Sequence, residues 1–171
     1  GDGMEKSYQE IGRLLRLLGR SGEGWAFRGS DRFMAGPEDA VDSPAARDLI
    51  ARALARPEDS PLYVLAIGCP VNVASALLMA PEIVSRMVVV WLGGTPLYWP
   101  HTREFNLMQD IHASRILLDS GVPLVMIPCY NVTDHLTVTI PELDYYLADA
   151  SPLARYLADC TKAYMLEHLR G

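Results

Sequence analysis

The sequence has little of what marks several common classes of protein. Its 15 Lys and Arg residues are outnumbered by 21 Asp and Glu residues, which gives a formal net charge of -6 at neutral pH. Nucleic acids and anionic membrane surfaces are bound through clustered Lys and Arg, so the excess of acid argues against both partners. No apolar run approaches the roughly 20 residues that a membrane-spanning helix needs. No basic-then-apolar signal peptide opens the chain either.

Cysteine is also scarce, because the chain holds only Cys69, Cys129 and Cys160. An odd number without close spacing argues against a disulfide framework or a zinc knuckle. We therefore expect three reduced thiols and a cytoplasmic protein. The 171 residues suffice for one domain with a sizeable core, and 50% of them are hydrophobic, which is ordinary for a globular protein.

Helical and strand patterns alternate along the chain. Apolar residues at helical spacing predict helices over residues 4–18, 44–55, 72–79, 104–120, 141–148 and 152–168. Short apolar runs predict strands at 25–27, 62–67, 87–92 and 124–127. This alternation predicts an α/β fold with a mainly parallel sheet and helices on both of its faces. No linker interrupts the pattern, so residues 1–171 are predicted to form a single domain.

Three loops follow the predicted strands, at residues 68–72, 93–103 and 128–131. In open α/β sheets, ligands bind beyond the carboxyl ends of the strands, which is where these loops lie. The glycines in the loops have two interpretations. They either let the backbone approach a ligand closely or serve only as turn residues.

Glu104 and Asn106 stand at the start of the helix that follows the second of these loops. A carboxylate and an amide separated by one residue can reach two hydroxyls of a sugar from one side. The alternative is that Glu104 only caps the helix and interacts with its positive end.

Taken in order, three motifs resemble those of the inosine-uridine preferring nucleoside hydrolases, which split ribonucleosides at the N-glycosidic bond. They are Gly68-Cys69-Pro70-Val71-Asn72, Gly93-Gly94, and Glu104-Phe105-Asn106 followed by Asp110. The helix start at Ser43–Ala46 and the turn at Gly121–Leu124 also match, and the resemblance covers residues 5–145. It implies a Rossmann-like nucleoside hydrolase fold, a nucleoside as substrate, and Ca²⁺ as the family's cofactor.

The resemblance also implies a role for several residues. Glu104 and Asn106 would hold ribose hydroxyls. Leu92 would lie under the ribose, where many members have Met. The backbone carbonyl of Val71 would be a Ca²⁺ ligand.

The loop before Glu104 carries Tyr98, Trp99 and His101. Trp99 could stack on a nucleobase, and His101 could protonate a leaving base near neutral pH. The alternative is a surface loop held in place by aromatic packing.

The chain departs from the family in its acidic residues. Members carry an Asp-x-Asp-x-x-x-Asp-Asp loop that supplies Ca²⁺ ligands and the base that activates water, and nothing here resembles it. A further ligating aspartate would fall beyond Gly171. Since Ca²⁺ prefers roughly six to eight oxygen ligands, we expect no catalytic base in this chain and no Ca²⁺ bound by it alone.

Two functions therefore remain open. The chain is either a central part of a nucleoside hydrolase domain, inactive in isolation, or a non-catalytic remnant that binds a sugar, a nucleoside or a protein partner. Without the family's first strand, the strands at 62–67 and 87–92 are expected to have bare edges. Such edges invite pairing with another chain, so we expect a homo-oligomer, most simply a two-fold dimer.

Overall fold

The computed structural model describes residues 2–57 and 59–168, which divide into two compact units. The first unit contains the residues before Gln9 together with Ala26–His135, and the second contains Gln9–Trp25 and the residues from Leu136 onward. Helix α1, Gly3–Leu17, begins in the first unit and continues into the second. That the whole chain forms a single domain stays a prediction.

The first unit is built on a parallel sheet of three strands in the order β1-β2-β3. The strands are β1 Leu62–Ala66, β2 Met87–Leu92 and β3 Leu124–Ile127. Leu62 pairs with Met87, and Val89 pairs with Leu124. Because the strands are parallel, their carboxyl ends meet at one edge. This confirms the predicted α/β class with a parallel sheet and brings the three predicted loops together.

The strand predicted at residues 25–27 is wrong. Trp25 closes a turn by donating its backbone N–H to the Gly22 carbonyl over 3.1 Å, and its ring lies under the Arg20 guanidinium at 4.9 Å. Strand structure needs a ladder partner, and this segment has none among the residues that the structure describes.

Four helices of the first unit flank the sheet: α2 Pro44–Leu54, α3 Val71–Met79, α4 Phe105–Met108 and α5 Ile111–Asp119. Short 3-10 helices lie at Pro81–Arg86 and Thr133–His135. Helix α2 begins as predicted, because Ser43 accepts a hydrogen bond from the Ala46 N–H and Pro44 takes the first helical position. One sheet face packs on these helices to form the core, whose largest buried side chains include those of Met87, Val89, Trp91, Ile83, Leu77 and Leu117.

The single helix predicted over 104–120 is also wrong, since the chain forms α4 and α5 with a break between them. Asp110 at the break is extended, with φ -145° and ψ 98°. Its Oδ1 caps α5 by accepting the Ala113 N–H at 3.0 Å, and its Oδ2 accepts the Met34 N–H at 2.7 Å. Asp110 is buried, so these two bonds stabilise the break in place of a continuous helical ladder.

The opposite face of the sheet is exposed at β1. Tyr63 is 66% exposed, Leu65 is 72% exposed, and Ile67 just beyond the strand is 79% exposed. Within the described ranges, no strand pairs with the outer edge of β1. The expectation of a bare edge is wrong for residues 87–92, because β2 is the central strand and is paired on both sides.

The second unit is helical. It contains α6 Ile140–Leu147, α7 Pro152–His168 and the later part of α1. Within this unit, the Tyr156 hydroxyl donates to Glu10 Oε1 at 2.5 Å and accepts from the Arg13 guanidinium at 2.9 Å. Over residues 2–57 and 59–168, no helix is both long and apolar enough to cross a bilayer.

Candidate functional site

Just after the carboxyl end of β2, the backbone at residues 93 and 94 requires glycine. A Cβ on Gly93 would lie 2.4 Å from the Trp91 ring, and that ring is fully buried. Gly94 has φ +75°, a left-handed conformation that side chains rarely adopt. Trp91 also donates its ring N–H to the Gly68 carbonyl at 3.0 Å, which ties the end of β1 to the end of β2.

The carboxylate of Glu104 joins three segments at this edge of the sheet. Its Oε2 accepts the backbone N–H groups of Gly94, at 2.7 Å, and Leu107, at 2.9 Å. Its Oε1 accepts the Asn106 N–H at 2.9 Å and the Cys129 thiol at 3.1 Å. The side chain is buried, with 3% exposure. Glu104 therefore caps α4 and also connects the end of β2 to the loop after β3.

The Glu104 carboxylate is held in its charged form. Burial raises its pKa, but the hydrogen bonds from Asn106, Gly94, Cys129 and Leu107 together lower the pKa below the ordinary value for glutamate. Burial first, and then the neighbouring Glu104, raise the pKa of the Cys129 thiol to about 11. The pair is thus a neutral thiol that donates to an anion.

Asn106 lies beside Glu104 at the same strand end. Its Nδ2 donates to the Leu92 carbonyl at 2.9 Å. Asn106 and Leu92 are both partly buried. The structure therefore brings together Glu104, Asn106 and Leu92, three residues singled out from the sequence. Their contact with a ribose stays a prediction.

The aromatic loop packs on the segment after β3. The Trp99 ring stacks on Tyr130, with ring centroids 5.5 Å apart and planes 6° apart, and meets the edge of His101 at 6.5 Å. His101 Nδ1 accepts the Arg103 N–H at 3.2 Å. Aromatic packing, which was the alternative interpretation of this loop, is present. Trp99 is 36% exposed, so part of its surface remains available to a ligand.

Val71 and Asn72 begin α3 at the end of β1. Val71 is buried, and Asn72 Oδ1 accepts the Ser30 N–H at 2.8 Å, the Ser30 hydroxyl at 2.9 Å and the Ser43 hydroxyl at 3.2 Å. Asn72 therefore anchors the loop that precedes α2. The role of the Val71 carbonyl as a metal ligand stays a prediction.

The described residues do not by themselves fit a Ca²⁺ ion. In this part of the chain, no group of three or more His, Cys, Asp and Glu side chains is arranged to hold a metal. Asp110, the acidic residue that follows the Glu104-Phe105-Asn106 motif, uses both carboxylate oxygens on backbone N–H groups.

Two residues that organise the site were not singled out from the sequence. For Cys129 the sequence predicts only a reduced thiol in a loop after a strand, yet that thiol contacts the Glu104 carboxylate. For Trp91 the sequence predicts only a position in an apolar strand. The available signal was its ring N–H, because a buried tryptophan usually needs a hydrogen-bond acceptor.

The chain matches known proteins along most of its length. The family described as inosine-uridine preferring nucleoside hydrolase matches residues 3–170. The pyrimidine-specific ribonucleoside hydrolase RihA of Salmonella paratyphi A is 29% identical over 135 residues, which cover 77% of this chain and 43% of the relative. RihA of Klebsiella pneumoniae is 26% identical over an alignment of 187 residues, covering 96% of this chain and 60% of the relative.

A solved structure shows the same similarity. The purine-preferring ribonucleoside hydrolase from Gardnerella vaginalis has a TM-score of 0.74 and 26% identity, covering 94% of this chain and 59% of that chain. This chain therefore spans about half the length of the relatives it matches, between 43% and 60%.

Proposed function

Because the chain belongs to the inosine-uridine preferring nucleoside hydrolase family, we propose that it binds the ribose of a ribonucleoside at the carboxyl edge of its sheet. The reaction proposed for the protein is hydrolysis of the N-glycosidic bond, which releases ribose and a free base. One observation carries the proposal. Glu104 and Asn106, the two polar residues of the Glu104-Phe105-Asn106 motif, are both hydrogen-bonded to the backbone at the end of β2.

The hydrogen bonds that the side chains already make within the protein determine which of their atoms can bind the ribose. Asn106 uses Nδ2 on the Leu92 carbonyl, so Oδ1 is the atom that accepts a ribose hydroxyl. Glu104 accepts a second hydroxyl on Oε1. The Leu92 side chain supplies an apolar surface under the sugar.

Trp99 and His101 are proposed to meet the nucleobase. Trp99 would stack on the base with the part of its ring that Tyr130 leaves exposed. His101 would face the leaving base with Nε2, because Nδ1 accepts the Arg103 N–H. No base is assigned, since one group of relatives is named pyrimidine-specific and another purine-preferring.

The only support for a bound Ca²⁺ ion is the resemblance to the family. Val71 would contribute one backbone carbonyl, and a Ca²⁺ site needs roughly six to eight oxygens. We therefore expect the 171-residue chain alone to bind no Ca²⁺ tightly and to release no ribose from nucleosides. The second candidate is a non-catalytic protein that keeps this fold and binds a sugar, a nucleoside or a protein partner.

Two assays on the same preparation test the function. The first measures release of reducing sugar from inosine and uridine with added Ca²⁺, and the second measures D-ribose binding by calorimetry. We expect binding without hydrolysis, and loss of binding in Asn106→Ala but not in Gln109→Ala, which removes another amide close by. Hydrolysis by this chain that Glu104→Ala abolishes would show that it is catalytically sufficient. Absence of ribose binding would refute the binding site.

We further propose a two-fold homodimer that covers the exposed face of β1. Faces of parallel sheets are normally covered, and Tyr63, Leu65 and Ile67 leave this one open. A second copy can offer the same face together with the edge of β1 that no described strand pairs with, and a stable interface buries roughly 800 Å² per partner. Light scattering should give a dimer that Leu65→Lys dissociates and Leu97→Lys does not, since Leu97 is also exposed but lies in a loop. A monomeric wild type would contradict this.

Nucleic acid and membrane are not proposed as partners, in keeping with the net charge of -6. The cytoplasmic location expected from the cysteine content stays a prediction.

A further inference from the structure

The Glu104 carboxylate has four hydrogen-bond donors, and they are of two kinds. Three are backbone N–H groups, of Gly94, Asn106 and Leu107. The fourth is the Cys129 thiol, 3.1 Å from Oε1. An ionised carboxylate offers about four lone-pair positions, so this set fills it. A sugar hydroxyl can bind Glu104 only if one of the four donors leaves.

The thiol is the donor that can leave without a change in the backbone. The Gly94 N–H lies in the glycine turn after β2, and the other two amides belong to the first turn of α4. The backbone of Cys129 is also held, because its N–H donates to the Gly94 carbonyl at 3.2 Å and its carbonyl accepts the Thr133 hydroxyl at 3.1 Å. Its side chain, in contrast, needs only a rotation about χ1 to another staggered position.

A hydroxyl is also the stronger donor. A thiol is a weak hydrogen-bond donor, whereas an O–H group on a carboxylate forms a short, charge-assisted bond. Cys129 is only partly buried while Glu104 is 3% exposed, so the thiol lies on the more accessible side of the pair.

We propose that the Cys129 thiol occupies the position on Glu104 Oε1 that a ribose hydroxyl takes, and that ribose binding displaces it. Cys129 is then a residue that sets the affinity of the site, because every bound sugar must replace its hydrogen bond. In the free protein the thiol keeps the buried carboxylate satisfied. This inference rests on the proposed ribose site.

The test compares the affinity of D-ribose for the wild type, Cys129→Ala and Cys129→Ser. Alanine removes the competing donor, so its dissociation constant should fall about two- to fivefold, the range for a weak S–H contact. Serine supplies a stronger competing donor, so its dissociation constant should rise. Cys160→Ala, at an exposed cysteine of α7, is the control and should leave the affinity unchanged.

Amide NMR spectra show whether each variant is folded. In Cys160→Ala, the signals of Gly94, Asn106 and Leu107 should keep their wild-type positions. In the two Cys129 variants, the same signals should remain well dispersed. Equal or weaker ribose binding by Cys129→Ala would overturn the displacement, while the ribose site itself would stand. Absence of ribose binding by every variant would instead overturn the proposed function, and the displacement with it.

Discussion

Replacing Glu104 with alanine should destabilise the protein well beyond the effect of removing an ordinary helix cap. The substitution leaves the Gly94 N–H without its acceptor in a buried position, and an unsatisfied buried donor costs about 1–3 kcal/mol. It also removes the acceptor from the Asn106 and Leu107 N–H groups that begin α4, which adds about 0.5–2 kcal/mol for a lost cap. We expect a total of about 3 kcal/mol. In a chain of this size that lowers Tm by roughly 6–12 °C.

Calorimetric unfolding of Glu104→Ala beside Glu142→Ala measures this effect. Glu142 also accepts a backbone N–H, that of Thr139, but does so on the surface in the capping box of α6. Water can replace its carboxylate there, so its loss should be much smaller. The reasoning is refuted if the two substitutions lower Tm equally.

The loss of stability caused by Glu104→Ala should depend on pH, and the direction follows from the pKa of Glu104. The pKa of Glu104 is lower in the folded protein than its ordinary value, so its stabilising contribution is fully present above the unfolded pKa. That contribution disappears as the pH falls through the folded pKa. The Tm difference between wild type and Glu104→Ala should therefore be constant near neutral pH and shrink on acidification below the usual range of glutamate.

Two further substitutions probe the backbone around the site. Gly93→Ala should lower the free energy of unfolding by about 1–3 kcal/mol or more, because the added Cβ meets the buried Trp91 ring at 2.4 Å. Gly68→Ala is the control and should be nearly neutral, because a Cβ there meets nothing within 4 Å. Equal urea midpoints for the two variants would contradict the packing argument. Asp110→Asn keeps one acceptor oxygen and loses the other, so it should cost about 1–3 kcal/mol and speed hydrogen exchange at the Met34 amide. Unchanged exchange at that amide would count against the role given to Asp110.

The strands and their loops were predictable from the sequence because their signals are local. Continuous apolar runs gave β1, β2 and β3 to within one residue, and parallel pairing then placed Gly93–Gly94, Glu104 and the segment after β3 at one edge. The start of α2 at Ser43-Pro44 was predictable for the same reason, since capping involves neighbours in sequence.

The errors arose where a distant partner decides the local structure. The helix predicted over 104–120 breaks because Asp110 bonds the Met34 amide, 76 residues earlier. The Cys129 thiol reaches Glu104 across 25 residues. Periodicity and propensity carry no information about such partners, so the polar network of the site becomes visible only in three dimensions.

The central claim is that ribose binds where Glu104 and Asn106 meet the end of β2. A titration of the ¹⁵N-labelled chain with D-ribose, followed by amide NMR, tests it most directly. We predict that the largest shifts occur at the Gly94, Asn106 and Leu107 amides, whose hydrogen bonds end on Glu104, and that Asn106→Ala abolishes the shifts at Gly94 and Leu107. Shifts centred on α6 and α7, or no shifts at saturating ribose, would contradict the claim.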